Sequence, residues 1–134
     1  MNTIYPLVTG ELAGTMDVLM LNSGMRPEGP PKPFRYEESI EWYGGKRAPG
    51  VRQPVIVWYI ESDGLRILVD TSFDHPDNVR KVLDGYGIHA FCERKPEWEL
   101  TAALSRLNIY PEEIDIVILT HLHFDHIGNN ELFS

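Results

Sequence analysis

Short apolar runs alternate with polar, glycine and proline positions through the first part of the chain. Residues 3–9 and 15–21 carry β-branched and other large apolar side chains, and Gly10 and Gly14 lie between them. Runs of this composition bounded by glycine are typical of strands. We therefore predict an antiparallel pair at the start of the chain.

A second pair of strands is predicted around a turn. Residues 55–60 are six consecutive apolar positions, which predicts a strand covered on both faces. Asp63-Gly64 is a hairpin signal, and the chain returns as a strand over residues 65–69. Residues 114–119 form a further apolar run, which predicts another buried strand.

Helical spacing of apolar residues marks two later stretches. Asp74 and Gly85 are suited to the two ends of a short helix, and Pro96 is suited to the start of another. The side chains predicted to face inward are Val79, Val82 and Leu83 in the first helix and Leu100, Leu104 and Leu107 in the second.

The segment 22–50 is rich in proline and glycine, which predicts a long irregular loop. It also carries several aromatic side chains, and two interpretations remain open. The loop is either a lid or pocket wall, or it packs on the edge of the domain. The candidate pocket residues, inferred from composition, are Met25, Phe34 and Trp42.

The predicted order is strands, then one or two helices, then a strand. This order indicates an α/β (α+β) fold with a mostly antiparallel or mixed sheet and helices on one face. With 134 residues the chain is one domain or part of one.

Composition narrows the class of partner. The formal net charge of −8 argues against a nucleic-acid backbone as the main partner. Cys92 is alone, so an intrachain disulfide is excluded. No apolar run approaches the ~20 residues of a transmembrane helix, and no signal peptide is visible. A cytoplasmic protein with no membrane partner is the default expectation.

The strongest chemical signal is H-x-H-x-D-H, formed by His121, His123, Asp125 and His126. Neutral imidazoles and a carboxylate are ligands that zinc takes. In extended backbone the side chains of His121 and His123 point to the same side, so both can reach one metal. Asp125 and His126 follow at a turn and can aim at a second metal. Gly128 permits either close backbone passage or a positive φ.

Asp70 ends the predicted strand over residues 65–69. A carboxylate there can orient a metal-ligating histidine from behind, and the alternative is a simple strand-end cap.

These residues resemble the metallo-β-lactamase superfamily, and within it the N-acyl homoserine lactonase-like hydrolases. The likeness rests on the cluster in ILTHLHFDHIG and on Asp70 in LRILVDTS. It extends from about Gln53 to Asn130. Two positions depart from the family pattern, because Ser72 and Asn129 each stand where a glycine is usual.

The resemblance implies a dinuclear metal hydrolase of lactone or ester substrates. His121 and His123 would hold the first metal, and Asp125 and His126 would hold the second. Asp125 is also the candidate catalytic carboxylate. Asp70 would lie behind these ligands and orient them. A metal-activated hydroxide would attack the carbonyl. Zinc is the expected metal, and iron, manganese or cobalt suit the same ligands.

The family's fold is an αββα sandwich of two similar halves, and this chain resembles the N-terminal half. We therefore expect about half of a site, completed by a C-terminal half or a partner chain, with an oligomer possible. An isolated 134-residue chain is expected to be inactive. The alternatives are thioester hydrolysis or an oxidoreductase on the same ligands, or a non-catalytic half-domain that binds metal or a partner.

Overall fold

The computed structural model describes residues 2–14, 35–41, 47–86 and 90–133. These residues form six strands and three α-helices. The strands are β1 (Thr3–Gly14), β2 (Arg35–Glu41), β3 (Arg47–Ser62), β4 (Leu65–Val69), β5 (Ala90–Glu93) and β6 (Ile116–Ile118). The α-helices are α1 (Pro76–Gly85), α2 (Leu100–Ser105) and α3 (Phe124–Ile127), with short 3-10 helices at Pro96–Trp98, Pro111–Glu113 and Asn130–Phe133. The mixed α and β fold class predicted from the sequence is confirmed.

The chain divides into two compact units. Unit 1 comprises Met1–Gly10, Val55–His75 and Arg94–Ser134, and unit 2 comprises Glu11–Pro54 and Pro76–Glu93. Strands β1 and β3 each contribute residues to both units. The prediction of one partial domain over the whole chain stays a prediction.

In unit 1 the strand order is β1-β3-β4-β6. The predicted hairpin is present, with β3 antiparallel to β4 from Trp58 opposite Val69 to Ser62 opposite Leu65. Asp63 and Gly64 form its turn, both with positive φ. Strand β6 then pairs with β4 in parallel, so the end of β6 lies beside the end of β4. This pairing brings Asp70 and the histidine cluster to one edge of the sheet.

The core of unit 1 lies between one face of this sheet and helix α2. Apolar residues of α2 recur three and four positions apart, which places Leu100, Ala103 and Leu104 on one buried face. The helix ends at Ser105, and the turn that follows it includes Asn108, which takes the left-handed conformation with a φ of 57°. The other buried members of the core are Leu7, Val57, Tyr59, Leu68 and Ile109.

The opposite face of the same sheet is apolar but exposed, so two predictions of burial were wrong. In β3, Tyr59 is 1% exposed whereas its neighbour Trp58 is 42% exposed. In β6, Ile116 and Ile118 are 41% and 47% exposed. Successive side chains of a strand point to opposite faces, and a continuous apolar run does not reveal which face is covered.

Unit 2 contains the last four residues of β1, paired antiparallel with β5, and β2 paired antiparallel with the start of β3. Helix α1 occupies the predicted position, with Val79 and Leu83 buried. The prediction that Val82 faces inward was wrong, because it is 55% exposed. It lies on the solvent side of the turn that carries the two buried residues.

The prediction of an irregular loop over residues 22–50 was wrong for the part that forms β2 and the start of β3. Arg35 to Glu41 pair with Arg47 to Arg52, and the register shifts between Glu37 and Ile40. Pro49 falls at this irregularity, where a missing backbone N–H is tolerated. The rest of the segment, with the strand predicted over residues 15–21, lies outside the described residues.

We expect Glu113 to make the stability of the fold depend on pH. The backbone N–H of Tyr110, followed by the Arg66 guanidinium 2.6 Å away, lowers the pKa of the Glu113 carboxyl. The unfolded chain therefore binds this proton more tightly, and the stabilisation is present above the ordinary carboxyl pKa and lost as the pH falls through the folded value. Glu113→Gln should flatten the acid side of the stability curve in denaturant melts, relative to the matched variant Glu112→Gln. Unchanged pH dependence in Glu113→Gln would contradict this assignment.

Candidate metal centre

The four ligand-type residues of the cluster lie together after β6. The imidazole ring centroids of His121 and His123 are 4.6 Å apart, and those of His121 and His126 are 3.9 Å apart. Asp125 Oδ2 lies 3.3 Å from His126 Nε2. His121 and His123 are exposed, and Asp125 and His126 are partly buried. The rings of the first two histidines therefore meet on one side of the chain, which their alternate spacing predicts.

The backbone after β6 turns into the four-residue helix α3, which begins directly after His123. Asp125 lies in its first turn and His126 in its last. This turn brings Asp125 and His126 close to the side chains of His121 and His123. The cluster is therefore assembled by one strand end and one short helix.

The Asp70 side chain joins this cluster from β4. Its Oδ2 lies 2.7 Å from His126 Nδ1, and its Oδ1 accepts a hydrogen bond from the Thr120 backbone N–H at 2.8 Å. The Thr120 hydroxyl is within 2.9 Å of both carboxylate oxygens. Because an ionised Asp70 can only accept, the His126 Nδ1 that faces it carries the hydrogen, and Nε2 is the ring nitrogen turned toward Asp125.

The protonation state of Asp70 supports this arrangement. Burial alone would raise the pKa of its carboxyl group, but the Thr120 backbone N–H and then the His126 imidazole and the Thr120 hydroxyl lower it below the ordinary value. The carboxylate is therefore ionised near neutral pH. A buried anion in this position holds the imidazole of His126 in one orientation.

The donor chemistry fits a divalent metal, although the coordination geometry is not preformed. Three imidazoles and a carboxylate match the ligands that zinc prefers. In the part of the chain that the structure describes, no three His, Cys, Asp or Glu side chains are already arranged as ligands of one ion. The assignment of two ligands to each of two metals stays a prediction.

Gly128 explains how closely α3 approaches the loop after β4. Its φ is −66°, so the positive φ considered from the sequence is not used. A Cβ on this residue would overlap the backbone of Phe73 and Asp74. The Gly128 N–H donates to the Ser72 carbonyl at 2.7 Å. Close passage of the two backbones is therefore the reason that a glycine is needed.

Arg94 supports the same loop and was missed from the sequence. Its side chain is 2% exposed, and it donates to the carbonyls of Thr9 and Phe73 and to the Ser72 hydroxyl. The guanidinium also lies 4.2 Å from the centre of the Phe73 ring. Only the folded chain reveals this role, because Thr9 and Arg94 are 85 residues apart.

The candidate pocket residues Met25, Phe34 and Trp42 lie outside the described residues. Their assignment to a substrate pocket stays a prediction. The structure describes no helix that combines the length and the apolar character needed to cross a membrane.

Comparison with known proteins places the chain in a family. Residues 50–134 match the family model of the metallo-beta-lactamase superfamily. The chain is 32% identical over 85 residues to an N-acyl homoserine lactonase of Bacillus cereus, covering 60% of this chain and 34% of that protein. It is 61% identical over 31 residues to a "probable metallo-hydrolase" of Methanocaldococcus jannaschii, covering 23% of this chain and 15% of that protein.

Solved structures support the fold. An N-acyl homoserine lactone hydrolase with N-hexanoyl-L-homoserine at its catalytic metal centre superposes with a TM-score of 0.66 at 22% identity, over 98% of this chain and 45% of that chain. An AiiA variant from B. thuringiensis with N-decanoyl-L-homoserine at its active site gives 0.68 at 19% identity, over 98% and 45%. The chain thus spans less than half the length of these relatives. It belongs to the metallo-beta-lactamase superfamily.

Proposed function

We propose that this chain carries half of the active site of a metal-dependent hydrolase acting on lactone or ester substrates. The observation that supports it most is the assembled cluster of His121, His123, Asp125 and His126, backed by Asp70. The match to an N-acyl homoserine lactonase favours a lactone over other carbonyl compounds.

In this proposal His121 and His123 hold one divalent ion, and Asp125 and His126 hold another. Zinc is the proposed metal, since imidazole and carboxylate ligands suit it. Iron, manganese and cobalt suit the same ligands and are the alternatives. Ions bound there supply positive charge that activates water and stabilises an oxyanion.

The protein's own groups prepare this chemistry. Asp70 fixes the His126 ring through Nδ1 at 2.7 Å, which leaves Nε2 as the coordinating atom. The Asp125 carboxylate lies beside that nitrogen, where it is placed to accept a proton from an attacking water. The Thr120 backbone N–H helps to keep Asp70 ionised and in place.

We also propose that a further segment of the native protein, or a second chain, completes the site. The exposed apolar face of the unit 1 sheet supports this proposal. Trp58, Ile116 and Ile118 on this face are each more than 40% exposed. Contiguous exposed apolar surface of this kind marks a contact with another protein surface.

The proposed substrate class is tested with the full-length native protein loaded with zinc. Hydrolysis of N-hexanoyl-homoserine lactone is compared with that of a thioester carrying the same acyl chain. We expect a higher kcat/KM for the lactone, and His75→Ala, which changes an exposed histidine outside the cluster, should leave it unchanged. Faster thioester hydrolysis would identify another branch of the superfamily, and hydrolysis of neither compound would favour a non-catalytic metal-binding protein.

A further inference from the structure

The loop that follows β4 takes an unusual backbone conformation. This segment, residues 70–73, is called here the Asp70 loop. Asp70 and Ser72 have φ values of 65° and 64°, both in the left-handed region. Such a conformation is unfavourable for a residue with a side chain. It persists only where neighbouring groups hold it in place.

The Asn129 side chain supplies part of that support, beside Arg94 and the Gly128 N–H. Its amide nitrogen donates to the carbonyls of Thr71 at 2.7 Å and of Phe73 at 2.9 Å. These two carbonyls lie on either side of Ser72, so one side-chain amide spans the strained residue. Both amide hydrogens are used, and no smaller side chain can replace them.

Asn129 is not explained by its own backbone. It is absent from the described residues that have a positive φ, so tolerance of the left-handed region is not why asparagine stands there. Ser72, by contrast, does occupy that region. Asn129 and Ser72 are therefore linked through the carbonyls of Thr71 and Phe73.

The same contacts reach the candidate ligands. The Thr71 N–H donates to the His126 carbonyl at 2.8 Å, and the Asp70 carboxylate meets His126 Nδ1 at 2.7 Å. Asn129 follows His126 by three residues, and Thr71 follows Asp70 directly. A hydrogen bond from Asn129 to Thr71 therefore fixes the two segments on which the Asp70–His126 pair depends.

We propose that Asn129 is a positioning residue that holds Ser72 in the left-handed conformation and thereby sets Asp70 against the His126 imidazole. Through this contact Asn129 determines how tightly the site formed by Asp125 and His126 would bind its metal. The inference rests on the metal assignment of the proposed function, but on no particular substrate.

The test measures stepwise Co²⁺ binding to the full-length protein by absorption spectroscopy, with and without Asn129→Ala. The binding step that is lost in His126→Ala identifies the second metal. Asn129→Ala should weaken that step at least about tenfold and leave the other nearly unchanged. In the Ser72→Gly background the same substitution should have a clearly smaller effect, because glycine adopts positive φ without support.

A second measurement needs no metal. In the metal-free protein, the NMR signal of the His126 Nδ1 proton reports its hydrogen bond to Asp70. Asn129→Ala should broaden or shift this signal, and the Ser72→Gly/Asn129→Ala double variant should restore it toward the wild-type position.

The control is Asn108→Ala, which also alters a left-handed residue of unit 1 but lies in the turn after α2. It should lower the melting temperature without changing either the affinity of the second Co²⁺ binding step or the NMR signal of His126. Equal effects of Asn129→Ala in both backgrounds, or an unchanged His126 signal, would overturn the proposal. A wild-type protein that binds Co²⁺ but hydrolyses no lactone would contradict the proposed function alone.

Discussion

Replacing His123 with alanine is expected to remove the first metal and to lower lactone hydrolysis on the order of a thousandfold. His123 is exposed, and its ring meets that of His121 at a centroid distance of 4.6 Å. It contributes little to the core, so the loss reflects the metal and not the fold. The measurement is kcat/KM for the lactone together with metal content per chain.

His75→Ala is the matched control, since it removes another exposed imidazole of unit 1. It should retain both metals and full activity. Undiminished hydrolysis in His123→Ala, with its metal content intact, would show that the first pair of histidines does not bind the catalytic metal.

The second large effect is on stability. Gly128→Ala would place a methyl group into the backbone of Phe73 and Asp74, which cannot move aside as a flexible side chain can. Either α3 or the Asp70 loop must shift, and we expect a loss of about 3 kcal/mol or more in the free energy of unfolding. The 2.7 Å hydrogen bond from Gly128 to Ser72 would be lost with it.

Gly85→Ala is the control for Gly128→Ala, because a Cβ at Gly85 meets nothing within 4 Å. Gly85 is the last residue of α1, and alanine there should be neutral or stabilise the protein by up to about 1 kcal/mol. Denaturant unfolding compares the two variants. A Gly128→Ala protein as stable as Gly85→Ala would refute the close backbone approach.

The sequence predicts well what depends on local patterns. Asp63-Gly64 predicts the β3–β4 hairpin, and the leucines of α2 predict its buried face. Both follow from residues within a few positions of one another, where spacing and turn chemistry determine the outcome. The grouping of His121, His123 and His126 follows for the same reason.

Features that depend on distant residues were missed. The pairing of β2 with β3 outweighs the proline and glycine content of its segment, and the exposed face at Trp58 depends on what covers the sheet. The roles of Arg94 and Asn129 arise from contacts with carbonyls more than 20 residues away. Local composition carries no signal for either kind of contact.

His121, His123, Asp125 and His126 are the proposed ligands of two metal ions. The most direct measurement is native mass spectrometry of the full-length protein with elemental analysis of its metals. We predict two divalent ions for each chain that carries the cluster, falling to one or none in Asp125→Ala. One ion per chain in the active wild-type protein, or two ions that remain in Asp125→Ala, would contradict the claim.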